Sequence, residues 1–471
     1  MRRTKIVATI GPATMAPEML ERLIAAGLDV ARLNFSHGNH EEHARTIAAM
    51  RAIAARMGRP VAILQDLAGP KIRTGPIAAG EVKLEPGQIL TLTGREVPGD
   101  AVEVSVTYRD LPRDVRGGDT LLLADGALEL KVAEVLSEDI RCRVVIGGPL
   151  SSHKGINLAS RSIRAPALTD KDRDDLTFGI LHGVDYVALS FVRSERDIRL
   201  ARAAMLAAGR DIPLIAKIEQ REAIERIDSI IPAVDAVMIA RGDLGVEISL
   251  EEVPVVQKEI IAKANRAGRP VITATQMLKS MVQNLHPTRA EVSDVANAIL
   301  DGSDAVMLSE ETAAGQYPLE AVQTMSRIAE RAEAIFPHEA WPDRLGRFSI
   351  LSSEEAVARA SCQIADRIDA AAIITLTQSG ATTRLVAKSR PSRPVLAMTP
   401  DKSTYRRLAL VWGAVPLLVE AKDRIEEMES QALRLVREAG YVEPGRPVVI
   451  TAGLPLHEPG TTNLIRIAQV P

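Results

Sequence analysis

The chain has 471 residues, and at about 150 residues per domain that length predicts roughly three domains. Apolar residues make up 46% and charged residues 25%, which excludes disordered, collagen-like and mucin-like chains. With 58 Lys and Arg against 61 Asp and Glu the formal net charge is −3, so no basic field exists for nucleic acid, and Trp 2, Tyr 5 and Phe 5 leave little for base stacking. The longest apolar run, Leu408–Val419, is broken by Pro416 and falls far short of the ~20 residues a membrane span needs. The apolar stretch behind Arg2-Arg3 stops at Gly11-Pro12, too short for a signal peptide. Cys142 and Cys362 match no metal or disulfide spacing and read as small core residues. The expectation is a cytoplasmic protein with neither a membrane nor a nucleic-acid partner.

In chain order, short runs rich in Val, Ile and Leu begin at Lys5, Val30, Val61, Tyr186, Pro213, Ala236, Pro270 and Ala305. Each is nearly continuous, as strands buried on both faces should be. Helical segments separate most of them. Ser194-Glu195-Arg196-Asp197 predicts a capped helix closed by Gly209, and Ser249-Leu250-Glu251-Glu252 predicts another closed by Gly268. Eight such strands alternating with helices predict an α/β fold, a (β/α)8 TIM barrel, in preference to an open doubly wound sheet. Between the third and fourth strands, 69–165 is too long for a loop and alternates like a small β domain, with turns at Pro86-Gly87, Gly117-Gly118 and Gly147-Gly148. Inserted after a barrel strand, it should hang over the C-terminal mouth as a lid. A further helix near Glu354 and strands at 372–377, 394–398, 416–420 and 447–451 predict a C-terminal α/β domain. The expected organisation is therefore barrel over 1–69, inserted β-barrel lid over 70–165, barrel again over 166–336, and C-terminal α/β domain over 337–471.

Polar residues at barrel strand ends are the functional candidates. They are Arg32, Asn34 and Ser36, then His37 and Gly38, after the second strand, and Asp66, Lys71 and Arg73 after the third. The fifth strand offers Lys217 and Glu219, the sixth Arg241, Gly242 and Asp243, the seventh Thr275, and the eighth Ser309, Glu310 and Glu311. Glu219 and Asp243 leave adjacent strands at one level, a hard-oxygen pair suited to Mg²⁺ or Mn²⁺ rather than Zn²⁺. Lys217 points into the same mouth, where it could form a Schiff base or neutralise a transferring anion; beside metal ligands the second is favoured. Arg32 and Arg73 supply the cationic groups that a phosphoryl group requires. Asn34, Ser36 and Asp66 form an oxygen-rich cluster suited to a cation. His37 and His153 are candidate general acids or bases. From the residues alone the reading is a metal-assisted barrel enzyme acting on a small phosphorylated anion, with its substrate unnamed.

The motifs TKIVATIGPAT (4–14), ARLNFSHG (31–38), GPKIRTG (69–75), AKIEQ (216–220), ARGDLGVEI (240–248), ATQML (274–278) and PTRAEVSDVANAILDGSDAVMLSEET (287–312) together resemble the pyruvate kinase family. The resemblance runs through the whole chain. It implies transfer of the phosphoryl group of phosphoenolpyruvate to ADP, followed by protonation of the enolate. By matching position, Glu219 and Asp243 would hold the divalent metal, and Arg32, helped by Arg73, would hold the transferring phosphoryl. Lys217 would stabilise that group in flight, while Thr275 and Ser309 would join the catalytic set, Thr275 beside the substrate carboxylate and enolate carbon. The Gly242 and Asp243 amides would bind the carboxylate, and Lys154 in the lid, with Pro12, His37 and Arg73, would reach the nucleotide.

A metal-dependent pyruvate aldolase or lyase, and a non-catalytic sugar-phosphate-binding protein, are the alternatives. The first would not need two arginines or a nucleotide-facing lid, and the second would require loss of Lys217 or a metal ligand. Two departures stand out: Glu310 occupies a position where the family often has glycine or alanine, and Lys71 one where many members have glutamate. Potassium-dependent relatives also carry threonine and lysine at the positions of Leu67 and Ala68. The expectation is that Lys71 replaces K⁺ beside Asn34, Ser36 and Asp66, and balances Asp66. In the C-terminal domain the turn with Thr377, Ser379, Gly380 and Thr382 is expected to take a phosphorylated allosteric effector. The resemblance further implies a homotetramer.

Overall fold

The computed structural model describes residues 2–124, 126–158, 166–346, 352–456 and 460–471. The C-terminal end of the expected insert, 159–165, lies outside the described residues.

Eight parallel strands close into a barrel in chain order: Lys5–Thr9, Val30–Asn34, Ala62–Asp66, Tyr186–Leu189, Leu214–Ile218, Ala236–Ala240, Val271–Ala274 and Ala305–Leu308. Closure pairs Lys5 with Ala305 and Val7 with Met307. Nearly every strand residue is buried, because one face packs on the helix ring and the other fills the barrel. The helix Glu195–Ala207 has the expected capping box at Ser194, and Gly209 follows it in the left-handed region. The helix after Ser249 begins at Val253 instead of Leu250. Only the reciprocal half of its box forms, with Glu252 accepting from the Ser249 amide, and Pro254 in the first turn suits the later start.

The insert folds as a curled six-stranded sheet, in the order Ile156–Leu158, Thr120–Leu123, Leu128–Val135, Asp139–Ile146, Ile89–Thr93 and Glu103–Ser105. A two-stranded sheet, Glu81–Leu84 with Gly148–Ser151, shares its core. Strands Gly148–Ser151 and Ile156–Leu158 are additions to the sequence reading. Cys142 lies in this core, its thiol pushed up to about 12 by burial, as an inert packing residue should be.

The C-terminal sheet has the order Ala414–Leu418, Val395–Thr399, Ala372–Leu376, Pro447–Gly453, Thr462–Gln469. The last strand is antiparallel and was not expected from sequence. This domain is keyed into the barrel. Ala409 and Leu410 join the side chains that fill the barrel interior, among them Val7, Ala188 and Met238. Lys5, buried, donates to the Ala414 carbonyl at 2.7 Å. Arg390 sits between Trp341 and Trp412, 5.5 and 4.6 Å from their ring centres, and pairs with Asp304 at 3.0 Å.

Candidate active site

The strand ends converge at the C-terminal mouth of the barrel. Strand register puts Asn34 beside Asp66, and Lys217 beside Met238 on the strand that leads to Asp243. Asp66 lies at the centre, 1% exposed. Its Oδ2 accepts from Arg32 Nε at 2.7 Å, and its Oδ1 lies 3.2 Å from Lys217 Nζ. Arg32 also donates to Thr9 Oγ1 at 2.8 Å. Lys217 Nζ donates to Ser190 Oγ at 2.8 Å and pairs with Glu219 Oε1 at 2.8 Å. Glu219 Oε2 accepts from the Phe191 amide at 2.8 Å. Five strand ends thus hold one buried chain of alternating charge, Arg32–Asp66–Lys217–Glu219.

The electrostatics follow from burial and neighbours. Burial opposes the charge on Lys217, but Asp66 and Glu219 outweigh it and hold the ammonium protonated. Asp66 is pushed up by burial, yet Lys217 and Arg32 bring it below the usual carboxylate range. Glu219 is held above its ordinary value, first by burial and then, against Lys217, by the like charge of Asp243. Partial burial, then the positive fields of Arg73, Arg32 and Lys71, lower the His37 imidazole, so it is neutral at pH 7.

Thr275 has φ +69°, a conformation β-branched residues rarely adopt and that costs of order 1–3 kcal/mol. That backbone places its hydroxyl to accept from the Gly242 amide at 2.7 Å while donating to the Ala274 carbonyl. Gly242 and Asp243 open the short helix Arg241–Glu247 at the mouth. The side chain of Arg241 goes to support, donating to the Thr275 carbonyl and to Asp294. Ser309 Oγ is buried with no hydrogen-bond partner among the described residues, while its amide donates to Glu311. Glu310 is exposed and pairs with Lys279. Asn34 Oδ1 accepts from the Ser36 amide.

Lys71 corrects one expectation. Its ammonium is 2.9 Å from Asp243 Oδ1, whereas Asp66 is balanced by Arg32 and Lys217. The turn at Gly69 redirects the chain: φ is +65°, and a Cβ there would lie 2.8 Å from the Phe191 ring. Gly155 then leaves the stem room, since a Cβ would meet Lys71 Cε at 3.1 Å. Arg73 pairs with Gly155 across the hinge and donates to the His153 carbonyl, and the Lys154 carbonyl accepts from Thr74. The exposed Lys154 is thereby fixed beside Arg73. Pro12 lies on a turn docked against Ala313 and Thr312.

Thr9 and Ser190 were missed by sequence reading. Both are small hydroxyls at the ends of apolar runs, and strand-end position was the only signal they carried. Among the described residues no three His, Cys, Asp or Glu side chains gather into a metal cluster.

In the C-terminal domain, Thr377, Ser379 and Thr382 line a small cavity with Lys422 and Thr461. Thr377 Oγ1 accepts from the Gly380 amide, and the Thr382 and Thr462 hydroxyls are hydrogen-bonded at 2.7 Å.

Comparison with known proteins gives a consistent result. The family model "Pyruvate kinase, barrel domain" matches residues 1–322, and "Pyruvate kinase, alpha/beta domain" matches 355–468. The chain is 50% identical over its full length to "Pyruvate kinase 2" of Synechocystis sp., covering 79% of that protein. It is 44% identical to a "Pyruvate kinase" of Thermotoga maritima, with each chain covered completely. A "Pyruvate kinase" of Geobacillus stearothermophilus is 47% identical over 99% of this chain and 80% of its own length. With its closed barrel, inserted sheet, C-terminal α/β domain and strand-end charges, the chain belongs to the pyruvate kinase family.

Proposed function

We propose the following division of labour for the family's phosphotransferase reaction, in which the phosphoryl group of phosphoenolpyruvate passes to ADP to give pyruvate and ATP. The observation that carries it is the buried Arg32–Asp66–Lys217–Glu219 chain. Arg32 and Lys217 present fixed positive charge where a phosphoryl group would travel, and Asp66 prevents either from swinging away. Thr275 and Ser309 are assigned to the enolate end, and the Gly242 and Asp243 amides to the carboxylate, which would take the place of the Thr275 hydroxyl on the Gly242 amide.

Glu219 and Asp243 fit Mg²⁺ or Mn²⁺. Both are hard oxygen donors, and the Glu219 carboxyl is raised first by burial and then by the charge of Asp243, which a divalent cation would offset. Such an ion would neutralise charge developing on the phosphoryl and enolate oxygens. Lys154 and Arg73, with His37 and Pro12, form the nucleotide side of the mouth. A coupled assay that follows pyruvate from phosphoenolpyruvate and ADP, with and without Mg²⁺, tests this reading; no metal-dependent pyruvate formation would overturn it. Glu219→Gln should raise the Mg²⁺ concentration for half-activity at least about tenfold together with a loss of rate. An unchanged Mg²⁺ titration would remove Glu219 from the metal site.

Three further readings accompany it. The turn Thr377–Thr382 takes a phosphorylated effector, supported by the cavity with Lys422. Ser379→Glu should then abolish activation and leave saturated kcat unchanged; if sugar phosphates and AMP do not move the wild-type substrate curve, the turn is only structural. The chain assembles as a homotetramer, supported by the outer edge of strand Thr462–Gln469, which no other strand covers among the described residues and where Ile467 is half exposed, and light scattering tests it. It works in the cytoplasm without nucleic-acid or membrane partners; no helix among the described residues is long and apolar enough to cross a membrane.

A further inference from the structure

Two residues beyond Gly155, which pairs with Arg73 at the hinge, the lid meets the end of a barrel helix 90 residues away in sequence. Asn157, on the lid strand Ile156–Leu158, directs its amide Nδ2 to Glu247 Oε1 at 3.4 Å. Both residues are buried, at 6% and 9% exposure. Glu247 ends the helix Arg241–Glu247, whose first turn carries Gly242 and Asp243. Its carbonyl accepts from Arg221 at 2.8 Å. On the lid side, Lys154 and Gly155 lead directly into the strand that carries Asn157, and the Ile156 amide donates to Ile72 in the hinge. The position of Asn157 therefore sets that of Lys154. A small cavity beside the pair is lined by Lys71, Phe191, Arg193 and Gln220.

We propose that Asn157 and Glu247 form a latch that seats the lid on the barrel, which makes Glu247 a positioning residue for the nucleotide. This rests on the reading that the lid carries Lys154 to ADP. The environment of the carboxyl agrees with such a role. Burial, and then the charge of Glu222, push it up to about 7 against hydrogen bonds from Asn157 and Gln220 and the charge of Arg221. A group near half protonation is well imitated by an amide, so Glu247→Gln keeps an acceptor for Asn157.

Steady-state kinetics on the full-length enzyme test the latch. Asn157→Ala and Glu247→Ala are each expected to raise KM for ADP about tenfold, the equivalent of one lost buried hydrogen bond. KM for phosphoenolpyruvate and kcat should change less than about twofold, since the barrel charges stay in place. The double variant should match the singles, because both remove one interaction, and Glu247→Gln should return KM for ADP to within about twofold of wild type. Hydrogen exchange at the amides of 154–157 should accelerate in both alanine variants. Multiplicative effects in the double variant, unchanged exchange, or a parallel rise in both KM values would overturn the latch. Asn157→Ala carries the test alone if Glu247→Ala does not fold. Lys154→Ala separates the two readings. If it leaves KM for ADP unchanged, the nucleotide role of the lid fails while hydrogen exchange still judges the latch.

Discussion

Lys217→Met is expected to lower kcat by about 10²–10³ or more while KM for phosphoenolpyruvate changes little. The ammonium is held before any substrate arrives, by Ser190 at 2.8 Å, Glu219 at 2.8 Å and Asp66 at 3.2 Å. A charge fixed in that way costs no reorganisation during transfer, and its effect is largest when charge is greatest, in the transition state. Methionine keeps the volume and loses the charge. It also leaves Asp66 and Glu219 buried with less compensation, so a stability loss of about 3–5 kcal/mol is expected alongside the kinetic one. Thermal melting reads the second effect, and kcat measured well below the melting range reads the first. A variant within a few-fold of wild type would remove Lys217 from the transfer step.

The barrel was legible because parallel strands with both faces covered read as continuous apolar runs, and Ala62–Asp66 and Leu214–Ile218 are buried throughout. The mouth was legible because Arg32, Asp66, Lys217 and Glu219 break those runs with charge where packing needs none. What sequence could not supply were partnerships that depend on register and on turns. Ser190 and Thr9 look like packing residues until closure brings them to Lys217 and Arg32. Lys71 lies close to Asp66 along the chain, yet the backbone at Gly69 sends it to Asp243. Strand Thr462–Gln469 is mostly partly exposed, without clean alternation of buried and exposed positions, so periodicity did not announce it. The insertion of Ala409 and Leu410 into the barrel is a long-range contact with no local signature.

A wild-type enzyme indifferent to potassium is the last expected result, and it turns on Lys71. Its ammonium reaches the mouth at 2.9 Å from Asp243, with Arg32, Arg73 and His37 on the same side. A compact ammonium on a flexible stem is expected to supply a point charge there in place of a monovalent cation. The structure moves that charge from the Asp66 side to the Asp243 side, which strengthens the argument about its removal. Lys71→Glu would set a carboxylate beside Asp243 and close to Glu219, a cluster that calls for an external cation. At about a quarter exposed, Lys71 and Asp243 are partly screened, so the loss should be moderate, about 10–10²-fold in tetramethylammonium chloride. Potassium chloride should restore most of it. Equal ionic strength in the two salts keeps screening constant, so any difference reports the cation itself. Wild-type activity should agree within about twofold between the salts. Strong activation of the wild type by K⁺ would overturn the idea, as would a Lys71→Glu variant with the same activity in both salts.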